Sequence, residues 1–278
     1  MTEKETNIRN NERITAIFGM IMMLCSVSSL STEINIVDGS TFKIYSQILD
    51  EDRTLSIALP DEYDIGQNEY PVLYVLDAEG SKLFPECVST VVDLYKKGLV
   101  PQMIIVGIWN TARNRDMIPV SVSHRPGSGG SKEFLSFIKD ELMPHIAQNY
   151  RTMDFSILYG MSNSALFTIY VLLESPETFN AYIASSPMIG HCPDYIKLKA
   201  DLFVEKNQLE DRILYMIYGT EDSQRVTSYI PDFQKFLEQK IPKSFNSELA
   251  ILEGEGHVPD SSLEKGLQYV FSKRTTVK

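Results

Sequence analysis

The stretch Phe155-Ser-Ile-Leu-Tyr-Gly-Met-Ser-Asn-Ser-Ala-Leu-Phe167 decides the fold. A short apolar run ends in Gly160. Met161, Ser162, Asn163 and Ser164 follow, and then an apolar helical run begins. This predicts strand, sharp turn and helix, with Ser162 at the apex. It is close to G-x-S-x-G, the pattern of an elbow that lifts a serine hydroxyl over the edge of a sheet. Ser164 stands where that pattern has glycine. Serine is small, and its hydroxyl can bond back into the first helical turn, so we expect the elbow to tolerate it.

Working outward, strand and helix signals alternate. Residues 41–48 and 54–59 read as strands, rich in β-branched and aromatic side chains. Pro71-Val-Leu-Tyr-Val-Leu76 and Met103-Ile-Ile-Val-Gly-Ile108 are continuous apolar runs, as expected of strands covered on both faces. Residues 181–184, 213–218 and 248–252 complete the strands. Helices are expected at 83–97, 131–150, 164–174, 228–239 and 261–271, from apolar side chains at helical spacing. The polar segment 110–130, with Gly127-Ser-Gly-Gly130, reads as loop. Such alternation implies an α/β fold, with a mostly parallel central sheet and helices on both faces. No internal repeat, low-complexity tract or linker divides residues 36–278, which we take as one domain.

At 278 residues, 43% hydrophobic and 23% charged, the chain has the composition of a soluble globular protein. A domain of this size buries roughly three quarters of its unfolded surface and needs no staples. The net charge of −11 argues against a nucleic-acid partner, which would require a basic footprint. Three cysteines, Cys25, Cys87 and Cys192, form neither a CxxC pair nor a Cys/His cluster, so no metal site is expected. Cys87 and Cys192 could pair, but two buried thiols are the expectation.

Residues 1–35 form a separate N-terminal segment. An uncharged run from Ile14 to Leu30 follows Arg13. It is short for a stable membrane span and near the length of a signal-peptide core, with Ser26, Ser28 and Ser29 as small residues beyond it. The segment before it carries as many acids as bases, which weakens an export signal. Periplasmic or secreted placement and cytoplasmic placement both stay open, as does the oligomeric state.

Serine is a poor nucleophile until a base takes its proton and an acid orients that base. In hydrolases built on this elbow the chain order is serine, acid, histidine. His124 and His145 precede Ser162. His191 follows it but comes before any late acid, and is the second choice of base. His257 lies after the last strand, in Glu253-Gly-Glu-Gly-His-Val-Pro-Asp260, and is the expected base. The acid is expected in Tyr218-Gly-Thr-Glu-Asp-Ser223, where Asp222 is favoured over Glu221 because the turn carries it back over the strand end. The backbone N–H groups of Asn163 and of Glu79, in the loop after residues 71–76, are the expected donors to an oxyanion.

Several stretches, in order, resemble the esterase-D-like branch of the α/β-hydrolases. They are Tyr70-Pro-Val-Leu-Tyr-Val-Leu-Asp77, Ile104-Ile-Val-Gly-Ile108 with Thr111-Ala-Arg-Asn-Arg-Asp-Met-Ile-Pro119, Gly129-Gly-Ser-Lys-Glu-Phe-Leu-Ser-Phe-Ile138 with Glu141-Leu-Met-Pro144, the elbow, Phe179-Asn-Ala-Tyr-Ile-Ala-Ser-Ser-Pro187, and Gly254-Glu-Gly-His257 with Gly266-Leu-Gln-Tyr-Val-Phe271. The resemblance covers about residues 36–273. That branch holds trilactone-siderophore esterases, S-formylglutathione hydrolase, feruloyl and acetylxylan esterases, and mycolyltransferases. The resemblance implies a serine hydrolase of carboxylic esters or lactones, working through an acyl-enzyme on a small-molecule ester, without metal or organic cofactor. It implies Ser162 as nucleophile and His257 as base. Ala78 and Ser164 depart from glycines of the family pattern. They are the support for an alternative, an impaired hydrolase scaffold that only binds; acyl transfer to an alcohol acceptor is another. Arg113 and Arg115, in the loop beside the site, are candidates to meet an anionic or catecholate substrate; the plainer reading is that they fasten that loop.

Overall fold

The apolar runs become the middle of one sheet. The structure, a computed structural model, describes residues 40–80, 82–206, 212–241 and 245–274. The N-terminal segment, its boundary at residues 35–36 and Cys25 lie outside the described residues. The strands are β1 (Ser40–Ser46), β2 (Glu51–Ala58), β3 (Tyr70–Leu76), β4 (Ile104–Ile108), β5 (Thr152–Met161), β6 (Ala181–Ser185), β7 (Ile213–Gly219) and β8 (Asn246–Leu252). They lie in the order β1-β2-β4-β3-β5-β6-β7-β8. β1 and β2 pair antiparallel, as do β2 and β4; every other neighbour is parallel. Every residue of β3, β4, β6 and β7 is buried, because both faces are covered.

One face carries α1 (Leu83–Lys96) and a C-terminal helix, Ser262–Arg274, packed through Phe84, Val88 and Val91 and through Leu263, Leu267 and Val270. The other face carries α2 (Arg113–Met117), α3 (Ser131–Ser136), α4 (Met143–Asn149), α5 (Asn163–Glu174) and α6 (Pro193–Lys206). Two further helices, α7 (Gln224–Thr227) and α8 (Ile230–Lys240), lie between β7 and β8, so the C-terminal helix is α9. Residues 163–173 of α5 are all buried, which explains a helix apolar nearly all round.

Several elements differ from the expectation; within 110–130, read as loop, Arg113–Met117 forms the short helix α2. The helix expected over 131–150 is broken by a π-helical turn, Phe137–Leu142. Pro144 has no N–H for the carbonyl four residues earlier and its ring crowds that carbonyl, so the ladder shifts there. The helix expected over 228–239 is α8, Ile230–Lys240, with Pro231 in its first turn, and the short α7 before it was not expected. No helix was expected at α6. Its residues Pro193-Asp-Tyr-Ile-Lys-Leu-Lys-Ala carry charges on most turns and bury only a narrow stripe, including Ile196, Ala200 and Phe203. Cys87 and Cys192 are buried free thiols, each pushed up to about 12 by burial. Among the described residues, no helix is long and apolar enough to cross a membrane.

Candidate active site

Because β3 to β8 run parallel, their C-terminal ends share one edge, and the loops leaving them converge there. β5 ends at Met161. Ser162 then takes φ 59°, ψ −116°, and α5 begins at Asn163. Serine at positive φ is strained and persists only where its surroundings hold it. Here its N–H donates to the Ser185 carbonyl at 2.9 Å, and its own carbonyl accepts from Met188 N–H at 3.3 Å. Gly160 permits the close approach of strand and helix. A Cβ there would lie 2.4 Å from the Ser164 carbonyl oxygen and 2.6 Å from Thr168 Oγ1.

The structure brings Ser162, His257 and Asp222 into one hydrogen-bonded line. His257 Nε2 is 2.9 Å from Ser162 Oγ, and His257 Nδ1 is 2.7 Å from Asp222 Oδ1. The Asp222 side chain is fully buried, while that of His257 is 43% exposed. A buried carboxylate under an accessible imidazole can fix its tautomer and stabilise its protonated form. The Asp222 N–H donates to the Gly219 carbonyl at 3.0 Å, which turns the residue back over β7. Glu221 is exposed, and its N–H bonds to the Glu255 carbonyl. Beside His257, Val258 also sits at positive φ (59°), and its N–H donates to Ser186 Oγ at 2.9 Å. Ser186 is itself left-handed (φ 50°) and its N–H is anchored on the Ile217 carbonyl. Strain thus collects around this edge of the sheet.

Asn163 opens α5, so its N–H is one of the unpaired donors at a helix N-terminus. On the other side, the Ala78 N–H is taken by the Ile108 carbonyl at 3.2 Å, leaving Glu79 as the next amide after β3. The Glu79 carboxylate accepts from Asn110 N–H and Nδ2 at 3.1 and 2.8 Å.

Arg113 and Arg115 are both engaged by carboxylates. Arg113 donates through Nε and a terminal nitrogen to Asp77 at 2.8 and 2.7 Å. Arg115 donates to Glu51 at 2.6 and 3.0 Å and to Asp116 at 2.7 Å. Both are seen fastening the 110–130 loop.

One group was missed. Asp77, at φ 58°, gathers Arg113, Asn110 Nδ2 (2.5 Å) and the Ser164 hydroxyl (2.7 Å) under the elbow. Its position directly after a buried strand was the available signal. His191, the second choice of base, does not reach Ser162. Its Nε2 is 3.1 Å from Asn163 Oδ1 and its Nδ1 is 2.9 Å from His124 Nε2. Burial, helped by Arg125, His124 and Arg225, lowers it to about 4, so it is neutral at pH 7.

Comparison with known proteins finds esterases. The profile of the family described as "Putative esterase" matches residues 46–252. The chain is 29% identical over 216 residues to the ferri-bacillibactin esterase BesA of Bacillus subtilis, covering 68% of this chain and 74% of that protein. It is 31% identical over 99 residues to the siderophore triacetylfusarinine C esterase of Aspergillus fumigatus, covering 35% and 34%. The crystal structure of an IroE-like serine hydrolase from Shewanella oneidensis superposes with a TM-score of 0.75 at 27% identity, covering 84% of this chain and 80% of that one.

Proposed function

Since the chain belongs to this esterase family and is by that membership a carboxylic ester hydrolase, we propose that it works through a Ser162 acyl-enzyme, with His257 as base and Asp222 as orienting acid. The observation that carries the reading is the Ser162–His257–Asp222 line, at 2.9 and 2.7 Å, on a serine held at positive φ. Ser162 Oγ attacks the ester carbonyl while its proton passes to His257 Nε2. The imidazolium keeps its Nδ1 proton toward Asp222 Oδ1. The backbone N–H groups of Asn163 and Glu79 receive the oxyanion, each such donor being worth about 3–4 kcal/mol. Collapse expels the alcohol, which leaves with the proton from His257. Water then attacks the acyl-enzyme, giving its proton to His257, and the carboxylic acid departs as Ser162 recovers its hydrogen.

We place siderophore esters as the substrate class, because both named relatives are siderophore esterases. A hydrolysis screen tests this, with a trilactone siderophore beside feruloyl, acetyl-sugar, short acyl and S-formylglutathione esters. The siderophore is expected to give the highest kcat/KM. A fluorophosphonate probe is expected to label the wild type and not Ser162→Ala. A folded wild type that never labels overturns the mechanism, and a preference for another ester overturns the substrate class alone.

A further inference from the structure

We propose that the turn carrying His191, with His124, Arg125 and Arg225 around it, is a subsite for a negatively charged oxygen substituent of the ester, beside the nucleophile. The proposal rests on the serine-esterase reading above and names the chemistry of the group the site accepts.

The first support is position. The 3₁₀ turn Ile189–His191 is fastened to the elbow, through Met188 N–H on the Ser162 carbonyl and through His191 on Asn163. Whatever occupies this side lies against the residue that follows Ser162.

The second is construction. His191 is only 4% exposed and is held at both ring nitrogens, 3.1 Å from Asn163 Oδ1 and 2.9 Å from His124 Nε2. His124 itself is exposed, so the buried ring sets the exposed one in place at the rim. The backbone of Arg225, in α7, packs against Gly190 of the same turn. Arg125 follows His124 directly in the chain.

The third is charge. The chain carries 37 acids against 26 lysines and arginines, so a guanidinium with no partner of any kind needs a reason. Arg53, Arg113 and Arg115 all have carboxylates within 3 Å. Arg151, Arg212 and Arg274 have no carboxylate either, but they donate to backbone carbonyls or to the Met153 sulfur; among the described residues, the Arg125 and Arg225 side chains have neither an ion pair nor a hydrogen bond, and Arg125 Nε is buried. Both lie near enough to His191 to disfavour its protonation. Asp222, three residues before Arg225, spends one oxygen on His257 and the Ser223 N–H. The missing counter-charge is therefore supplied by the ligand. Guanidinium pairs best with planar oxygen anions, a carboxylate or a deprotonated catecholate.

The test compares a neutral ester, 4-nitrophenyl acetate, with anionic ones, the 4-nitrophenyl monoesters of succinate and adipate, on the full chain. The wild type is expected to favour an anionic ester in kcat/KM, with its KM rising as salt is added while that of the acetate stays flat. In Arg125→Gln/Arg225→Gln the anionic-to-neutral ratio of kcat/KM is expected to fall about tenfold, the scale of one lost charge-assisted hydrogen bond. Lys96→Gln, at the far end of α1 and exposed, removes a positive charge away from the elbow and is expected to keep the ratio. An unchanged ratio in the double variant, or an equal fall in Lys96→Gln, overturns the subsite. Should the double variant fail to fold, the wild type decides: equal, salt-insensitive KM values for neutral and anionic esters overturn it. No hydrolysis of any ester, with no fluorophosphonate labelling, would instead sink the parent reading.

Discussion

At Ser164 the chain departs from the glycine of the elbow pattern, and the structure gives the side chain work. Its backbone is not left-handed; the strained residue is Ser162. The buried hydroxyl accepts from the Met161 N–H at 2.8 Å. Its one proton has two acceptors in reach, Asp77 Oδ2 at 2.7 Å and the Met161 carbonyl at 2.8 Å, and the carboxylate is the stronger. Ser164→Ala strands the half-buried Met161 N–H and takes a donor from Asp77. We expect a loss of about 1–3 kcal/mol in urea unfolding, and restoring the pattern glycine is expected to cost no less. An unchanged midpoint would show the hydroxyl idle. At the other end of the line, Asp222→Asn is expected to lower kcat by about 10⁴ with little change in KM, by analogy with the serine proteases; steady-state kinetics on a 4-nitrophenyl ester checks it. The position of Asp222 over the strand end was legible because its turn is local. The partners of Ser164 were not, since Asp77 lies 87 residues away.

Between elements, the fit of β7 beneath the histidine loop controls where His257 stands. The loop crosses the end of β7 so closely that a Cβ on Gly219 would lie 2.0 Å from the Glu255 carbonyl oxygen and 2.6 Å from that of Gly256. Both atoms are backbone and cannot swing aside as a side-chain tip could. Gly219→Ala must therefore lift the loop two residues before the imidazole. A displacement near 1 Å at a reacting group costs about 10²-fold, so kcat is expected to fall by that order, with fluorophosphonate labelling slowed in parallel. Full activity in this variant would mean that the loop repacks without moving His257. The buried strands could be read from the chain because a strand covered on both faces is apolar throughout. α6 could not, because its buried stripe is interrupted by Asp194, Lys197, Lys199 and Asp201. The π turn before Pro144 depends on how a broken ladder is repaired, which apolar spacing does not encode.

Across the molecule, the arginines of the 110–130 loop show why residue type alone misplaces a role. Arg113 and Arg115 could be put beside the site from the chain, but Asp77 and Glu51, which bind them, are distant in sequence. The same network reaches the antiparallel edge. Arg53 is fully buried, with one terminal nitrogen on Asp116 (2.8 Å) and Glu51 (2.9 Å), the other on the Trp109 carbonyl, and its plane over Phe134. Two arginines, Arg53 and Arg115, thus face two acids, Asp116 and Glu51. Asp116→Ala leaves Arg53 buried with half its counter-charge, and is expected to cost about 3–5 kcal/mol in urea unfolding. Acid should attack the same assembly. The Arg115 hydrogen bond, with Arg53 behind it, holds Glu51 below the usual carboxylate range against the opposing effect of burial. For Glu177, burial pushes upward, but Lys139 and the Ser175 hydroxyl outweigh it and bring it to about 2. With the folded pKa lowered, the unfolded chain binds more protons, so stability rises with pH through this window. The contribution is complete above the ordinary value of 4.5 and is lost as pH falls toward the folded values. Urea midpoints are accordingly expected to be flat from pH 7 to about 5 and to fall steadily from pH 5 to 3. Glu51→Gln is expected to make that descent shallower, while lowering the midpoint at pH 7. An equally steep descent in Glu51→Gln would place the acid sensitivity in other carboxylates.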